Sequence, residues 1–384
     1  MKNLIIIGAG SAGVAAAEAA RKQNEDISIL LFSEESQLPY HRIRLFQVAA
    51  DTSQESKITL HPKEWYDERN IDLRLNTKIV DVDDNTKEVI SSSGERFPFD
   101  KLILATGSKA FLPPIKNVEA TGVHTIWTMD NILELSEELP QVEDLVIIGG
   151  GLLGLEAAHN LSERNCHVTV LQRGNRLLSR QLDEKGSELY LKKTKSFGIN
   201  VLFEADTKEI ITDEEGRVKE LLLEDGRRIP CQLILISAGV RARLDLIEKC
   251  SCEAEVCRQI VVNKYMETSI PDVYACGDNA LVNNEWYGLW MISKNEGAVA
   301  GTNAAGGNMT YTMPSVPYSM NSMDLPLYSA GIIEEGEGIE TKTELDEENY
   351  IYKKYFYKED ELIGFILLGD TKEGFSLNKT LAKN

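Results

Sequence analysis

Leu4-Ile5-Ile6-Ile7-Gly8-Ala9-Gly10-Ser11-Ala12-Gly13-Val14 sets a short β-branched run against three glycines and the start of an alanine-rich stretch lasting to Arg21. A second apolar run, Ile27 to Phe32, follows. Strand, glycine turn, helix and strand within about thirty residues is the βαβ pattern of a dinucleotide-binding unit. Each glycine has its own reason. Gly8 permits the tight turn, Gly10 lets the backbone approach a pyrophosphate, and Gly13 lets helix and strand pack closely. Phosphates would then meet the free amides of Ser11, Ala12 and Gly13 at the helix N-terminus. Glu34 ends the second strand about twenty residues after Gly13, where an acid bonds ribose hydroxyls; Glu35 takes that role if the strand runs one residue longer.

The pattern returns. Leu145-Val-Ile-Ile-Gly149-Gly-Gly151-Leu152-Leu153-Gly154-Leu-Glu156-Ala-Ala158 again reads strand, glycines and helix, and the strand Val168-Thr-Val-Leu171 follows. The copies lie about 140 residues apart, so this is a duplicated supersecondary unit and not a solenoid. Between them, Phe99-Asp-Lys-Leu-Ile-Leu-Ala105-Thr106-Gly107 is a strand running into a small-residue turn. Leu233-Ile-Leu-Ile-Ser-Ala-Gly239 closes the second unit, and Thr268-Ser-Ile-Pro-Asp-Val-Tyr-Ala-Cys-Gly277-Asp278 comes later.

Composition narrows what such a chain can do. Its 384 residues predict two or three domains with full cores, and 42% hydrophobic with 27% charged residues is ordinary globular sequence. With 41 Lys+Arg against 61 Asp+Glu the net charge is −20, which repels a phosphate backbone and an anionic membrane, so neither nucleic acid nor membrane is an expected partner. The apolar start breaks into glycines too early for a signal peptide, and no stretch reaches the ~18 apolar residues of a membrane span. Six irregularly spaced cysteines fit reduced thiols, and a soluble cytoplasmic protein is expected. Cys250, Cys252 and Cys257 offer three thiols without a nearby histidine, a poor zinc or iron–sulfur set, so no metal site is expected; Cys276 should pack as a small apolar residue.

In order and spacing, the two glycine motifs, the Ala-Thr-Gly turn and the Tyr-Ala-x-Gly-Asp element resemble the FAD-dependent pyridine nucleotide-disulfide oxidoreductase superfamily over about residues 1–310. The resemblance implies an α/β chain of two Rossmann-like dinucleotide-binding domains with a small C-terminal α+β domain. FAD would lie on the first motif, with Ile79 and the Ala105–Gly107 turn among its contacts and Asp278 bonding the ribityl chain. NAD(P)H would lie on the second, with Gly149, Gly151, Leu152, Leu153, Gly154, Glu156 and Gly239 around it. The corresponding domains would be 1–110 with 240–310 for FAD, 111–239 for NAD(P) and 311–384 at the C-terminus. In the second unit Gln172 stands where an acid would bond the ribose, and Arg173 follows; an acid repels a 2′-phosphate and an arginine accommodates it, so the pattern fits NADPH at least as well as NADH.

What is missing points to the branch. Disulfide reductases carry a Cys-x4-Cys pair after the second strand, yet no cysteine lies between Gly13 and His124, so electrons cannot leave through a local thiol. The segment Leu38-Pro39-Tyr-His-Arg42-Ile-Arg44-Leu resembles the Pro-Tyr-x-Arg stretch of NAD(P)H:rubredoxin oxidoreductases and nitrite-reductase flavin subunits. Oxygenase-type ferredoxin reductases continue there with Ser-Lys; this chain has Phe46-Gln47. The ending Gly364-Phe-Ile-Leu-Leu-Gly369-Asp370-Thr resembles the rubredoxin-reductase tail.

The expected activity is an FAD enzyme passing electrons from NAD(P)H to a small acidic redox protein, rubredoxin or ferredoxin, as monomer or homodimer. The flavin would carry the chemistry, with Arg42 and Glu156 as the protein's candidate catalytic groups. Arg42 is either a solvated arginine or a fixed charge beside the flavin or pyrophosphate. A −20 chain needs a local basic spot to receive an acidic carrier, and Arg42 and Arg44, then Lys353 and Lys354, are the candidates. An NAD(P)H oxidase, a nitrite-reductase-type flavin component and an FAD-bound redox sensor or interaction protein are the alternatives.

Overall fold

The computed structural model describes residues 2–164, 166–250, 256–313 and 317–381. The chain divides into two units: Met1–Leu45, Ser53–Lys109 and Val240–Met313 form the first, and Phe46–Thr52, Ala110–Gly239 and Pro314–Asn384 the second.

The first unit is built on a parallel five-stranded sheet, in the order Val273–Ala275, Lys101–Leu104, Asn3–Ile7, Ser28–Phe32 and Ile71–Arg74. Strands covered on both faces read as continuous apolar runs, and Leu4, Ile5 and Ile6 are all fully buried at the sheet's centre. The helix Ser11–Gln23 crosses from the first strand to the second. Its alanines leave room for the helix Trp290–Ala304, which comes so close that a Cβ on Gly297 would lie 2.1 Å from the Ala12 carbonyl oxygen. Arg21 closes the C-terminal end of the first helix by donating to the carbonyls of Asn24 and Glu25 and, beyond the helix, of Arg69 and Asn70. A three-stranded antiparallel sheet, Ile79–Asp83, Glu88–Ser91 and Arg96–Pro98, completes the unit.

The second unit repeats the plan. Its parallel sheet runs Asn200–Phe203, His167–Gln172, Asp144–Ile148, Leu233–Ile236 and Val123–Thr125, with the helix Leu152–Ser162 as the first crossover and a three-stranded antiparallel sheet beside it. To this it adds an antiparallel five-stranded sheet, Tyr318–Ser322, Leu325–Gly331, Glu361–Leu368, Ile351–Lys358 and Glu340–Asp346, followed by the helix Gly374–Leu381. Asp183 ties the two sheets together. Its carboxylate caps the Glu184–Ser196 helix at Gly186 and accepts from the Tyr352 hydroxyl (2.6 Å) and the Lys354 ammonium (2.9 Å). The short segment around Phe46 also belongs here: Phe46 is buried in this unit's core, and Arg164 donates to the Ala49 carbonyl at 2.7 Å.

Candidate dinucleotide sites

In the first unit the three glycines do different work. Gly8 has φ +106°, and a Cβ there would lie 2.2 Å from the Ala105 carbonyl oxygen; one on Gly13 would lie 1.8 Å from the Gly8 oxygen. Both are required by close backbone packing. Around Gly10 a Cβ would meet nothing within 4 Å. Gly10 is the N-cap of its helix, no side chain caps it, and no acid sits in the first turn. By contrast, the helices beginning at Met129 and Glu184 are capped by Thr128 and Asp183. An uncapped helix end with open space before it fits an anionic pyrophosphate.

The remaining positions named for FAD all lie in the first unit, with differing partners. Asp278 accepts from the Ser108 hydroxyl (2.6 Å) and the Ser293 hydroxyl (3.2 Å). Thr106 donates to the Arg243 carbonyl at 3.1 Å, and Ile79 is buried in the unit's core. Glu34 is ion-paired with Arg243 and lies 3.8 Å from the Lys78 ammonium. Glu35 takes the Arg42 guanidinium at 2.8 Å and the Tyr40 hydroxyl at 2.5 Å. Arg42 is therefore ion-paired while 30% of its side chain stays exposed. Burial works against its charge, but Tyr40, Glu35 and Asp278 outweigh that and raise its pKa. Arg44 donates to the Lys57 carbonyl at 3.2 Å.

Three further residues, Asn279, Arg243 and Glu296, bind to these turns and side chains. Asn279, fully buried, accepts from the Gly107 amide (3.2 Å) and donates to the Leu104 carbonyl (3.0 Å), stitching the Ala105–Gly107 turn to the Asp278 turn. Arg243 sits against Glu34 with its Nε buried and without a hydrogen-bond partner. Glu296, 4% exposed, accepts from the Gly277 amide at 2.7 Å; burial pushes its carboxyl up to about 8, against the pull of that amide and with Asp278 adding to it. Only Asn279 had a sequence signal, as an amide directly after Gly-Asp.

The second unit reproduces the close contacts. A Cβ on Gly149 would lie 2.2 Å from the Ser237 oxygen and one on Gly154 1.9 Å from the Gly149 oxygen, whereas Gly151 faces open space. The helix it caps, beginning at Leu152 and the partly exposed Leu153, has no side-chain cap and no acid in its first turn. Gly239, at φ +98°, accepts from the Phe111 amide at 2.9 Å. The strand end differs from the first unit. Gln172 turns back to accept from the Gly150 amide (3.0 Å) and donate to the Arg176 carbonyl (3.1 Å), and Arg173 is 86% exposed beside Asp206 at 2.9 Å. Glu156, half-buried on the same helix, is pushed up to about 7 by burial. The C-terminal sheet packs on this helix, with the Met323 amide donating to His159 Nδ1 at 3.1 Å.

The five described cysteines are free thiols; Cys276 is fully buried, and burial raises it. Cys252 lies outside the described residues, so the three-cysteine cluster is not seen whole. Among the described residues no three metal-ligating side chains converge. Lys353 is paired with Asp370 and Glu373, and Lys354 with Asp183 and Glu335, so neither is a spare charge. No described helix is long and apolar enough to cross a membrane.

Two parallel sheets, each with a glycine turn opening onto an uncapped helix, define a two-dinucleotide oxidoreductase. The chain belongs to the pyridine nucleotide-disulphide oxidoreductase family, which it matches over residues 2–297, and residues 318–384 match the rubredoxin NAD+ reductase C-terminal domain. Members of this family use FAD and NAD(P)H. Over 387 residues the chain is 33% identical to nitrite reductase [NAD(P)H] of Bacillus subtilis (strain 168), covering all of this chain and 47% of that protein. It spans about half the length of that relative and of the assimilatory nitrate reductase electron transfer subunit of the same organism. It is 30% identical over 378 residues to NADH-rubredoxin oxidoreductase of Clostridium acetobutylicum, covering 98% of this chain and 94% of that one. The crystal structure of the clostridial enzyme matches with a TM-score of 0.83 at 29% identity, over 100% of this chain and 96% of that one. The covalent putidaredoxin reductase–putidaredoxin complex shares the fold, with a TM-score of 0.89 at 22% identity, over 100% of this chain and 93% of that one.

Proposed function

We propose that this chain is a reductase that passes electrons from NAD(P)H, through FAD, to a small one-electron carrier protein of the rubredoxin type. The observation that carries the reading is a two-dinucleotide frame with no cysteine between Gly13 and His124, so that the flavin has no neighbouring thiol in that segment to reduce. When bound, FAD takes a hydride and releases its two electrons singly. The balance is one NAD(P)H and two oxidised carriers giving NAD(P)+, one proton and two reduced carriers.

The chain's own residues bind and orient. The Gly8–Gly13 turn and the amides of Ser11, Ala12 and Gly13 would hold the FAD pyrophosphate, and Glu34, shared with Arg243, its ribose. Asp278, oriented by the Ser108 and Ser293 hydroxyls, would hold the ribityl chain. Arg42, kept charged by Glu35, would set a positive field at the flavin. The Gly149–Gly154 turn, Glu156, Gln172, Arg173 and Gly239 would hold NAD(P)H. On this reading 1–110 with 240–310 form the FAD domain, 111–239 the NAD(P) domain and 311–384 the C-terminal domain.

The full-length likeness to half of a nitrite reductase favours a second reading, in which the chain is the flavin portion of a larger electron-transfer assembly. The deciding experiment is anaerobic NAD(P)H oxidation with rubredoxin before and after alkylation of accessible thiols. Two rubredoxins reduced per NAD(P)H, with turnover surviving alkylation, supports the proposal. Loss of turnover on alkylation would point to a thiol relay, fast turnover with oxygen alone to an oxidase, and no turnover with any acceptor to a sensor.

A further inference from the structure

A chain of net charge −20 repels an acidic carrier at long range, so the carrier needs a local exception, and the first unit contains one. Two segments meet there. The His41 ring lies 5.4 Å from the Trp290 ring, and the Lys294 ammonium 5.6 Å from the centre of the same indole. Burial, then Arg44 and Lys294, pull His41 below its ordinary pKa, so both cations stand close to this pair. Lys294 is exposed and forms no ion pair among the described residues. On the same two segments, which the His41–Trp290 contact brings together, Ile43 and Met291 are each 52% exposed. The nearby carboxylate of Glu18, which also feels Lys294, is tied to Lys22 at 2.8 Å.

Exposed apolar residues occurring singly need no explanation. The position of these two does. Ser293, two residues beyond Met291 on the same helix, donates to Asp278, so the patch is the outer side of the helix turn that orients the candidate flavin aspartate. An apolar centre with a cationic rim is the usual form of a transient electron-transfer interface with an acidic partner.

Building on the carrier reading above, we propose that a small acidic one-electron carrier docks on this patch, with Ile43 and Met291 under its centre and Arg44 and Lys294 steering its approach. Each docked carrier takes one electron and leaves, so two dock in turn for each NAD(P)H oxidised.

The test uses the FAD-bound protein and oxidised acidic rubredoxin, with affinity measured at low and at physiological salt and flavin reduction by NAD(P)H as the control. Lys294→Glu should weaken rubredoxin binding about fivefold at low salt, with the difference shrinking as salt rises. Met291→Asp should weaken it at both salts. Neither should change flavin reduction by NAD(P)H, since both positions are exposed. Unchanged affinity in both variants, with wild-type binding intact, would move docking elsewhere and leave the carrier reading standing. A wild-type protein whose flavin NAD(P)H bleaches, but which neither binds nor reduces rubredoxin, would overturn the carrier reading and the patch together.

Discussion

The two glycine turns make the same close contacts and finish differently. In each, the first and last glycines are fixed by backbone oxygens about 2 Å from any added Cβ, and the middle one faces open space. The difference begins at the strand ends. Glu34 meets Arg243 in the first unit, whereas in the second Gln172 folds back on its own turn and leaves Arg173 in solvent. The contacts that make a βαβ unit pack are thus common to both, and the units differ in a few side chains beyond the strand. Each unit also holds a carboxyl raised by burial, Glu296 in the first and Glu156 in the second, to different degrees.

The sharpest break of this comparison is at the middle glycines. Gly10→Val and Gly151→Val place a side chain where the fold has room, so both variants should fold. Gly10→Val should purify colourless, whereas Gly151→Val should stay yellow and lose flavin bleaching by NAD(P)H, with absorption spectra before and after NAD(P)H as the readout. Both losses in a single variant would mean the turns do not divide the nucleotides this way.

A smaller effect separates the buried acids. Between about pH 4.5 and about 8 folded Glu296 keeps a proton that the unfolded chain has released, so stability falls as pH rises through that window. Glu296→Gln keeps an acceptor for the Gly277 amide and cannot ionise. It should match the wild type near pH 5 and exceed it at pH 8 by on the order of a few kcal/mol, read as urea midpoints across pH. Glu156→Gln should remove a similar slope over a shorter window, from about pH 4.5 to about 7, and so a smaller total change. A wild-type stability flat from pH 5 to 8 would show that Glu296 is already ionised.

The smallest effect concerns Arg173. To meet a 2′-phosphate it must leave Asp206 from an exposed position, so Arg173→Ala should weaken NADPH by about 1–2 kcal/mol and leave NADH nearly unchanged, measured as the ratio of kcat/KM values. Asp206→Asn should shift the ratio toward NADPH. Equal losses for both nucleotides would give Arg173 another role.

Much of this was legible in the sequence because backbone demands leave residue-type signatures. The run Leu4–Ile7 lies within the strand Asn3–Ile7, and Gly8 and Gly13 stand where only glycine fits. Asp278 was legible from its Gly-Asp context. Glu296 and Arg243 were not, since their meaning lies in partners: Gly277 is nineteen residues from Glu296, and Glu34 is 209 from Arg243. Nor could the sequence say that Gln172 would spend its amide on its own glycine turn, or that Arg42 would be held by Glu35 and not by solvent. Lys353 and Lys354 read as spare charge until the sheet paired each with two carboxylates.

If the flavin is the chain's one redox centre, an anaerobic titration of the yellow protein with NAD(P)H will show it. A lone flavin should be fully bleached by one equivalent of NAD(P)H, and two equivalents of oxidised rubredoxin should restore the colour. A requirement for two equivalents of NAD(P)H would reveal a second two-electron group, such as a thiol pair, beside the flavin.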